Sequence, residues 1–376
     1  METKIWEQVV AEKRRQRARV ISAFVTKNLS DNEDRQDAYK AITEVDDISA
    51  LADKISSGDL TEILFDDVLE QAQELDAYYA KEKKTKGPLH GVPISLKDQF
   101  NVKCYDTTLG YTSKAFKPAK DDAVLWAETD NPLWGLTENP IIPRYTPGGS
   151  SGGESALIYS HGSLGGFGSD LGGSIRMPAS MMGLYGFKPS VMDAYFTVDG
   201  GEDIRRDVEA GGEPFIPSVE RLVNRGKPIS VFDYWQLNKR KRELQQAYLE
   251  KWNNTLSKKG KTVDAIIMPA LPHAAVPHNT VKWVGYTKVW NLLDYTALVI
   301  PGGKVEAKDL DALWDHEPRN ELDEWNTRLW EDNMQEMAKH HLPVDIQIVG
   351  RVLEEEKVLA VGKVLDDLLR TRLLEG

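Results

Sequence analysis

Two glycine-rich clusters near the middle of the chain contain serines, and three of these serine hydroxyls are the first candidates for chemistry. Ser150 and Ser151 lie within the cluster 148–153, and Ser174 lies within 168–176. Glycine loses more conformational freedom on folding than any other residue, so these clusters indicate a backbone that approaches another group closely. Serine hydroxyls in such a setting favour the nucleophilic chemistry of a hydrolase.

A lysine at the end of an apolar run is the candidate base for these hydroxyls. Lys97 follows the run Val-Pro-Ile-Ser-Leu at 92–96. An ammonium cannot accept a proton, but burial disfavours the charged form and lowers the pKa of a lysine. A lysine at the end of a buried strand meets that demand. The alternative, that Lys97 pairs with Asp98 or another carboxylate, stays open on spacing alone.

Other chemistries match the glycine clusters less well. The phosphate-binding pattern G-x-x-x-x-G-K-[ST] is absent, and Gly166-Phe167-Gly168 is followed by a glycine one place too late for the dinucleotide fingerprint. The pattern G-x-S-x-G occurs at 149–153, but a nucleophile elbow needs a buried strand before the serine. Two prolines interrupt residues 143–147 instead. Histidine and cysteine show no spacing typical of a metal site.

Composition and charge narrow the class of protein. Of 376 residues, 41% are hydrophobic and 28% are charged, which is typical of a globular protein. The net charge of −12 argues against nucleic acid as a main partner and against docking on an anionic membrane. The single cysteine, Cys104, fits a reducing compartment. Without a secretory signal or an apolar run long enough to span a membrane, the sequence predicts a cytoplasmic protein with no integral membrane segment.

Hydrophobic patterning predicts the elements that must position these residues. Helices are expected over about 4–27, 66–82, 151–161, 172–182, 231–258 and 353–374, and strands over about 91–98, 162–168, 263–268 and 344–349. Strands that alternate with helices predict an α/β fold whose sheet is covered on both faces. With no repeat or clear linker, we expect a single domain over 1–376, with a helical region to about 86, a core over about 87–190 and a C-terminal region from about 191.

Three segments, in this order along the chain, resemble the amidase signature family. They are GVPISLKD at 91–98, PGGSSGGE at 147–154 and GSDLGGSIRMPA at 168–179. Within that family the chain is most similar to fungal general amidases of the acetamidase type. The resemblance implies a mixed central β-sheet covered by helices, and no metal or organic cofactor. It also implies hydrolysis of a small carboxamide to a carboxylate and ammonia or an amine.

The resemblance assigns a role to each candidate residue. Ser174 would be the nucleophile, Ser150 the bridging serine that follows a cis peptide bond, and Lys97 the terminal base of a Ser-Ser-Lys catalytic triad. Neutral Lys97 would take the proton of Ser150 as that hydroxyl takes the proton of Ser174, and Ser174 would form an acyl-enzyme.

Supporting roles follow from the same resemblance. Ser151 is expected to orient the relay, and Asp170 and Arg176 to brace the loop. The backbone N–H groups that would stabilise the oxyanion are those of Leu171, Gly172, Gly173 and Ser174.

The resemblance is interrupted at three places, which indicates missing internal segments. One junction lies between the stretches 121–125 and 128–135, a second near 58–62, and the largest follows 186–190. Each buried polar group left unpaired costs about 1–3 kcal/mol, against a total stability of about 5–15 kcal/mol. A catalytically impaired or non-catalytic remnant of an amidase is therefore one alternative. An amidotransferase A-type subunit is a further one.

Two single positions also depart from the family pattern. Cys104 stands where the family often has glycine, so a positive φ is expected there. Asp345 replaces a small residue in the strand text at 343–347. The helical N-terminus offers a surface for a homodimer.

Overall fold

A computed structural model describes most of the chain. The described residues are 5–29, 65–86, 90, 94–102, 104–119, 130–188, 199–216, 219–220, 223–224, 227–311 and 316–375. The three predicted junctions, near 58–62, between 125 and 128, and after 190, lie outside these ranges.

Helices and strands alternate along the described chain. The helices are α1 (Ile5–Leu29), α2 (Phe65–Glu82), α3 (Gly152–Tyr159), α4 (Arg176–Met182), α5 (Glu202–Gly211), α6 (Val231–Asn254), α7 (Gly285–Leu293), α8 (Glu321–Lys339) and α9 (Glu355–Glu375). The strands are β1 (Ile94–Leu96), β2 (Asp130–Asn131), β3 (Gly135–Leu136), β4 (Gly165–Phe167), β5 (Gly186–Lys188), β6 (Ile266–Met268), β7 (Ala297–Lys304) and β8 (Pro343–Val349). The α/β class is confirmed. The described strands form three separate sheets rather than one.

The chain forms two compact units, each assembled from separate stretches. The first unit contains residues 1–137, 156–167 and 206–215, and the second contains 138–155, 168–205 and 216–376. The single domain over 1–376 stays a prediction. No helix in the described ranges is both long enough and apolar enough to cross a membrane.

The first unit holds a short parallel strand pair and the helix α1. Ile94 of β1 pairs with Gly165 of β4 in parallel register. Lys13 of α1 is buried and forms an ion pair with Asp106 at 2.9 Å. Because a buried charge is costly unless it is paired, this contact fixes α1 on the loop that carries Asp106. Leu133 is fully buried and packs against apolar residues of α1.

The second unit is built on a four-stranded antiparallel sheet in the order β5-β7-β8-β6. Its inner residues include Ile300 of β7 and Ile348 of β8, which are buried against Val358 of α9. Gly362 of α9 lies so close to Leu298 that a Cβ there would collide with the leucine side chain. The glycine therefore lets α9 pack closely against β7.

Helix α4 is the element through which this sheet positions the serine clusters. Six of its seven residues are buried, and it contacts β5, β7 and β8. It ends at Gly183, which adopts the left-handed conformation with φ 65° that favours glycine after a helix. Since α4 begins only two residues after Ser174, its burial restrains the loop that carries this serine.

Candidate active site

The two glycine-rich clusters of the second unit contact each other directly. The Ser151 N–H donates to the carbonyl oxygen of Ser174 at 3.0 Å. A Cβ added at Gly148, whose φ is 87°, would lie 2.7 Å from the Cα of Pro178. The peptide bond between Gly149 and Ser150 is cis, as the resemblance implied. The glycines thus permit the close backbone approach that their clustering predicted.

An ion pair joins Asp170 and Arg176 at the two ends of a loop. Both side chains are almost completely buried, and the guanidinium Nη2 and Nε lie 2.8 and 3.0 Å from the two carboxylate oxygens. The same carboxylate accepts hydrogen bonds from the N–H groups of Gly173, Ile175 and Arg176 at 2.9, 3.2 and 3.1 Å. These contacts tie the two ends of the loop together, and the bracing role of both residues stays a prediction.

The charge state of Asp170 follows from these contacts. Burial raises the pKa of the carboxyl group. The adjacent Arg176 charge and the hydrogen bonds from Arg176 and Asn291 outweigh burial, and hold that pKa below its ordinary value. Asp170 is therefore an anion that fixes the loop rather than a proton donor.

Three residues that the sequence reasoning missed complete this polar cluster. Arg176 donates through Nη1 to Gln347 Oε1 at 2.8 Å and through Nη2 to Asn291 Oδ1 at 2.6 Å. The Thr287 hydroxyl donates to the carbonyl oxygen of Gly172 at 2.6 Å. Thr287 and Asn291 lie four residues apart on α7, and both are buried. Polar residues at that spacing on the buried face of a helix were the available signal.

The backbone donors predicted for the oxyanion divide into two groups. The Gly173 N–H donates to Asp170, as described above. Within the described ranges, no acceptor takes a hydrogen bond from the N–H groups of Leu171, Gly172 or Ser174. These three residues are half-buried, and Ser174 is flanked by backbone that the Asp170 carboxylate holds in place.

Ser151 lies in the same region, but its side chain makes contacts of a different kind from those of Asp170 and Arg176. Its side chain is buried, and its hydroxyl has no hydrogen-bond partner among the residues that the structure describes. A Cβ added at Gly168 would collide with that hydroxyl. The contacts of the Ser151 hydroxyl are thus steric, and the role of Ser151 in orienting a relay stays a prediction.

Lys97 lies in the first unit, directly after β1. Its side chain is buried and its N–H donates to the carbonyl oxygen of Phe167 at 3.1 Å, which extends the β1–β4 pairing by one residue. The carboxylate of the next residue, Asp98, accepts hydrogen bonds from the Thr108 N–H at 3.1 Å and the Thr108 hydroxyl at 2.7 Å. The burial of Lys97 is the environment that a neutral lysine needs.

Comparison with known proteins identifies the family. A family model described as Amidase matches residues 45–128, 124–194 and 200–359. The chain belongs to the amidase family. Amidase 2 of Gibberella moniliformis is 38% identical to this amidase and is matched over 81% of the chain and 83% of the relative. The acetamidase of Emericella nidulans is 28% identical over 81% of each chain. Hydrolysis of amides is thus the activity of this family.

The same comparisons bear on the missing segments. The alignment with Amidase 2 extends over 427 residues, more than the 376 of this amidase. The relative must therefore contain internal segments that have no counterpart here. The family-model match breaks at 124–128 and at 194–200, close to two of the three predicted junctions.

Solved structures share the fold. A fatty acid amide hydrolase superposes with a TM-score of 0.69 at 21% identity, covering 98% of this amidase and 91% of the other chain. A 6-aminohexanoate cyclic dimer hydrolase superposes with a TM-score of 0.57 at 15% identity, covering 95% of each chain. These likenesses confirm the amidase-signature fold.

Proposed function

We propose that this amidase hydrolyses a small carboxamide through an acyl-enzyme on Ser174, with Ser150 and Lys97 as the proton relay. The observation that carries the proposal is the set of uncommitted N–H groups beside Ser174. Preorganised backbone donors stabilise the oxyanion of acyl transfer, and each contributes about 3–4 kcal/mol in comparable sites. Here the N–H groups of Leu171, Gly172 and Ser174 meet that requirement.

The proposed reaction balances its protons through the relay. Neutral Lys97 accepts the proton of Ser150 while Ser150 accepts that of Ser174, and the Ser174 oxygen attacks the amide carbonyl. The oxyanion receives hydrogen bonds from the free backbone donors. When the C–N bond breaks, the proton returns through Ser150 to the departing ammonia or amine, and water then hydrolyses the ester on Ser174.

Preorganisation supports this assignment. The carboxylate of Asp170 binds three N–H groups of the loop, and Thr287 fixes the carbonyl of Gly172. The peptide planes next to Ser174 are thus held before substrate arrives. Donors that need no reorientation during the reaction lower its barrier most.

The missing internal segments favour a second candidate, an amidase fold without activity. The two are separated by labelling with a fluorophosphonate probe, which reacts with an activated serine, together with a thermal melt. We expect labelling of the wild type and a cooperative melt. Ser174→Ala should lose labelling and release of ammonia from benzamide, while its melt is unchanged. Ser257→Ala, which changes an exposed turn, is the matched control.

Each outcome of these experiments favours one of the two candidate functions or tests the assay itself. An unlabelled wild type with no cooperative melt supports the inactive remnant. Full activity in Ser174→Ala contradicts the proposed nucleophile. Loss of labelling in Ser257→Ala as well would show that the assay does not report on one serine.

A cytoplasmic location and a homodimer formed through α1 are also proposals. The single cysteine supports the first. Cell fractionation tests the location, and the molar mass in solution tests the dimer. A monomeric mass of 42.2 kDa would contradict the dimer.

A further inference from the structure

The second unit contains a cavity of about 860 Å³ that the proposed relay does not use. Its volume lies in the range of small-molecule sites, which is about 300–1,000 Å³. Aromatic side chains form part of its lining, namely Trp283, Tyr286 and Trp330. Trp283 and Tyr286 meet edge to face with their ring centroids 4.6 Å apart. Such a lining favours an occupant with an apolar body.

Asp345 contributes a carboxyl group to the lining of this cavity. Asp345 on β8 accepts a hydrogen bond from the Ala270 N–H at 3.0 Å and another from the Ser180 hydroxyl of α4. Within the described ranges, no lysine, arginine or histidine forms an ion pair with it. Burial raises the pKa of Asp345 to about 6, although hydrogen bonds from Ala270, Ser180 and its own backbone oppose the rise. A buried carboxylate in this position is stabilised by a cation.

The other titratable groups of the lining do not supply that cation. His273, on the segment after β6, has its pKa lowered by burial and is therefore neutral near pH 7. Its Nδ1 lies 2.8 Å from the Ala274 carbonyl oxygen, an acceptor, so the proton is on Nδ1. The Nε2 atom of His316 lies 3.2 Å from a carboxylate oxygen of Asp323, and Arg319 lies on the exposed segment between these two residues. Neither His316 nor Arg319 forms an ion pair with Asp345.

We propose that this cavity binds an organic ammonium ion, with Asp345 as its counter-ion and the rings of Trp283, Tyr286 and Trp330 as its apolar walls. The ammonium would donate to the carboxylate and offset the burial of its charge. The organic part would replace water against the aromatic rings, which also attract cations electrostatically. The ligand is an amine rather than an amide, so this binding does not depend on hydrolysis at Ser174.

Isothermal titration calorimetry tests this site with 2-phenylethylammonium at pH 7.5 in phosphate buffer. The neutral alcohol 2-phenylethanol has nearly the same shape and is the matched ligand. Asp345→Asn removes the charge but keeps a hydrogen-bond acceptor, and Asp311→Asn changes an exposed carboxylate as the matched variant. We expect Asp345→Asn to raise Kd at least tenfold, Asp311→Asn to leave it unchanged, and the alcohol to bind at least tenfold more weakly than the amine.

Three results would overturn the proposal. They are no saturable heat with 2-phenylethylammonium up to 20 mM, an equal Kd in Asp345→Asn, or equal binding of the alcohol. If Asp345→Asn lacks a cooperative melt, the comparison of amine and alcohol on the wild type decides alone.

Discussion

Replacing Asp345 by asparagine should stabilise the folded protein in a way that depends on pH. The carboxyl group has an ordinary pKa of 3.8, and burial in the cavity wall raises that pKa to about 6. Below about pH 3.8 the group is protonated in the folded and the unfolded chain, so its burial does not lower the free energy of unfolding. Between those two values only the unfolded chain ionises, and the cost grows as pH rises.

The magnitude follows from the two pKa values. Their difference corresponds to roughly 3 kcal/mol of lost stability once the pH exceeds about 6. Asparagine has no charge to bury, and its side-chain oxygen can still accept the Ala270 N–H. We therefore expect Asp345→Asn to gain about 1–3 kcal/mol in the free energy of unfolding at pH 8, and close to nothing at pH 4.

Guanidinium chloride denaturation at pH 4, 6 and 8 measures this gain, with Asp311→Asn as the control. The buffers should be free of amines such as Tris, because a bound ammonium ion would itself stabilise the folded chain. No gain at pH 8, or a gain of equal size at all three pH values, would refute the reasoning about Asp345. A similar gain in Asp311→Asn would trace the effect to net charge instead.

Two further predictions concern the loop that carries Ser174. Arg176→Met should reduce the free energy of unfolding by about 3–5 kcal/mol, because it leaves the buried Asp170 carboxylate without its counter-charge; a loss below 1 kcal/mol in denaturation would contradict this. Gly173→Ala should abolish fluorophosphonate labelling, because Gly173 has φ 120° and its new Cβ would collide with the Thr287 hydroxyl. Gly212→Ala, at φ 69° with no atom within 4 Å of its Cβ, measures the cost of a positive φ without a collision.

Local patterns predicted six of the nine described helices, and the errors in their bounds have identifiable causes. The helix expected to 258 ends at Asn254, because the Thr255 N–H bonds to the Trp252 carbonyl oxygen and the chain turns back. The indole of Trp252 donates to the Val263 carbonyl oxygen at 3.1 Å and holds that turn. The positive φ expected at Cys104 is confirmed at 73°.

The longer elements that the sequence did not predict share one property. They are α5, α7, α8 and β7, in which the arrangement of polar and apolar residues is explained only by contacts with distant parts of the chain. The two- and three-residue strands β2, β3 and β5 were not predicted either. The buried polar residues of α7 illustrate this, because Asn291 and Thr287 bind groups 115–121 residues earlier in the chain. Motif spacing located the loop 168–176 that carries Ser174, here called the serine loop. No local pattern shows which distant side chains hold this loop in place. The cavity beside Asp345 could not be predicted either, because its lining residues are distant from one another in the sequence.

The contacts of Arg176 have a consequence for the order in which this protein is made. Its guanidinium binds Asn291 and Gln347, which leave the ribosome 115 and 171 residues later. Until β8 has been synthesised, Arg176 has its nearby partner Asp170 but lacks Gln347. Contacts between residues so far apart in sequence form late and slowly. The serine loop is therefore expected to reach its final geometry only after most of the polypeptide has been translated.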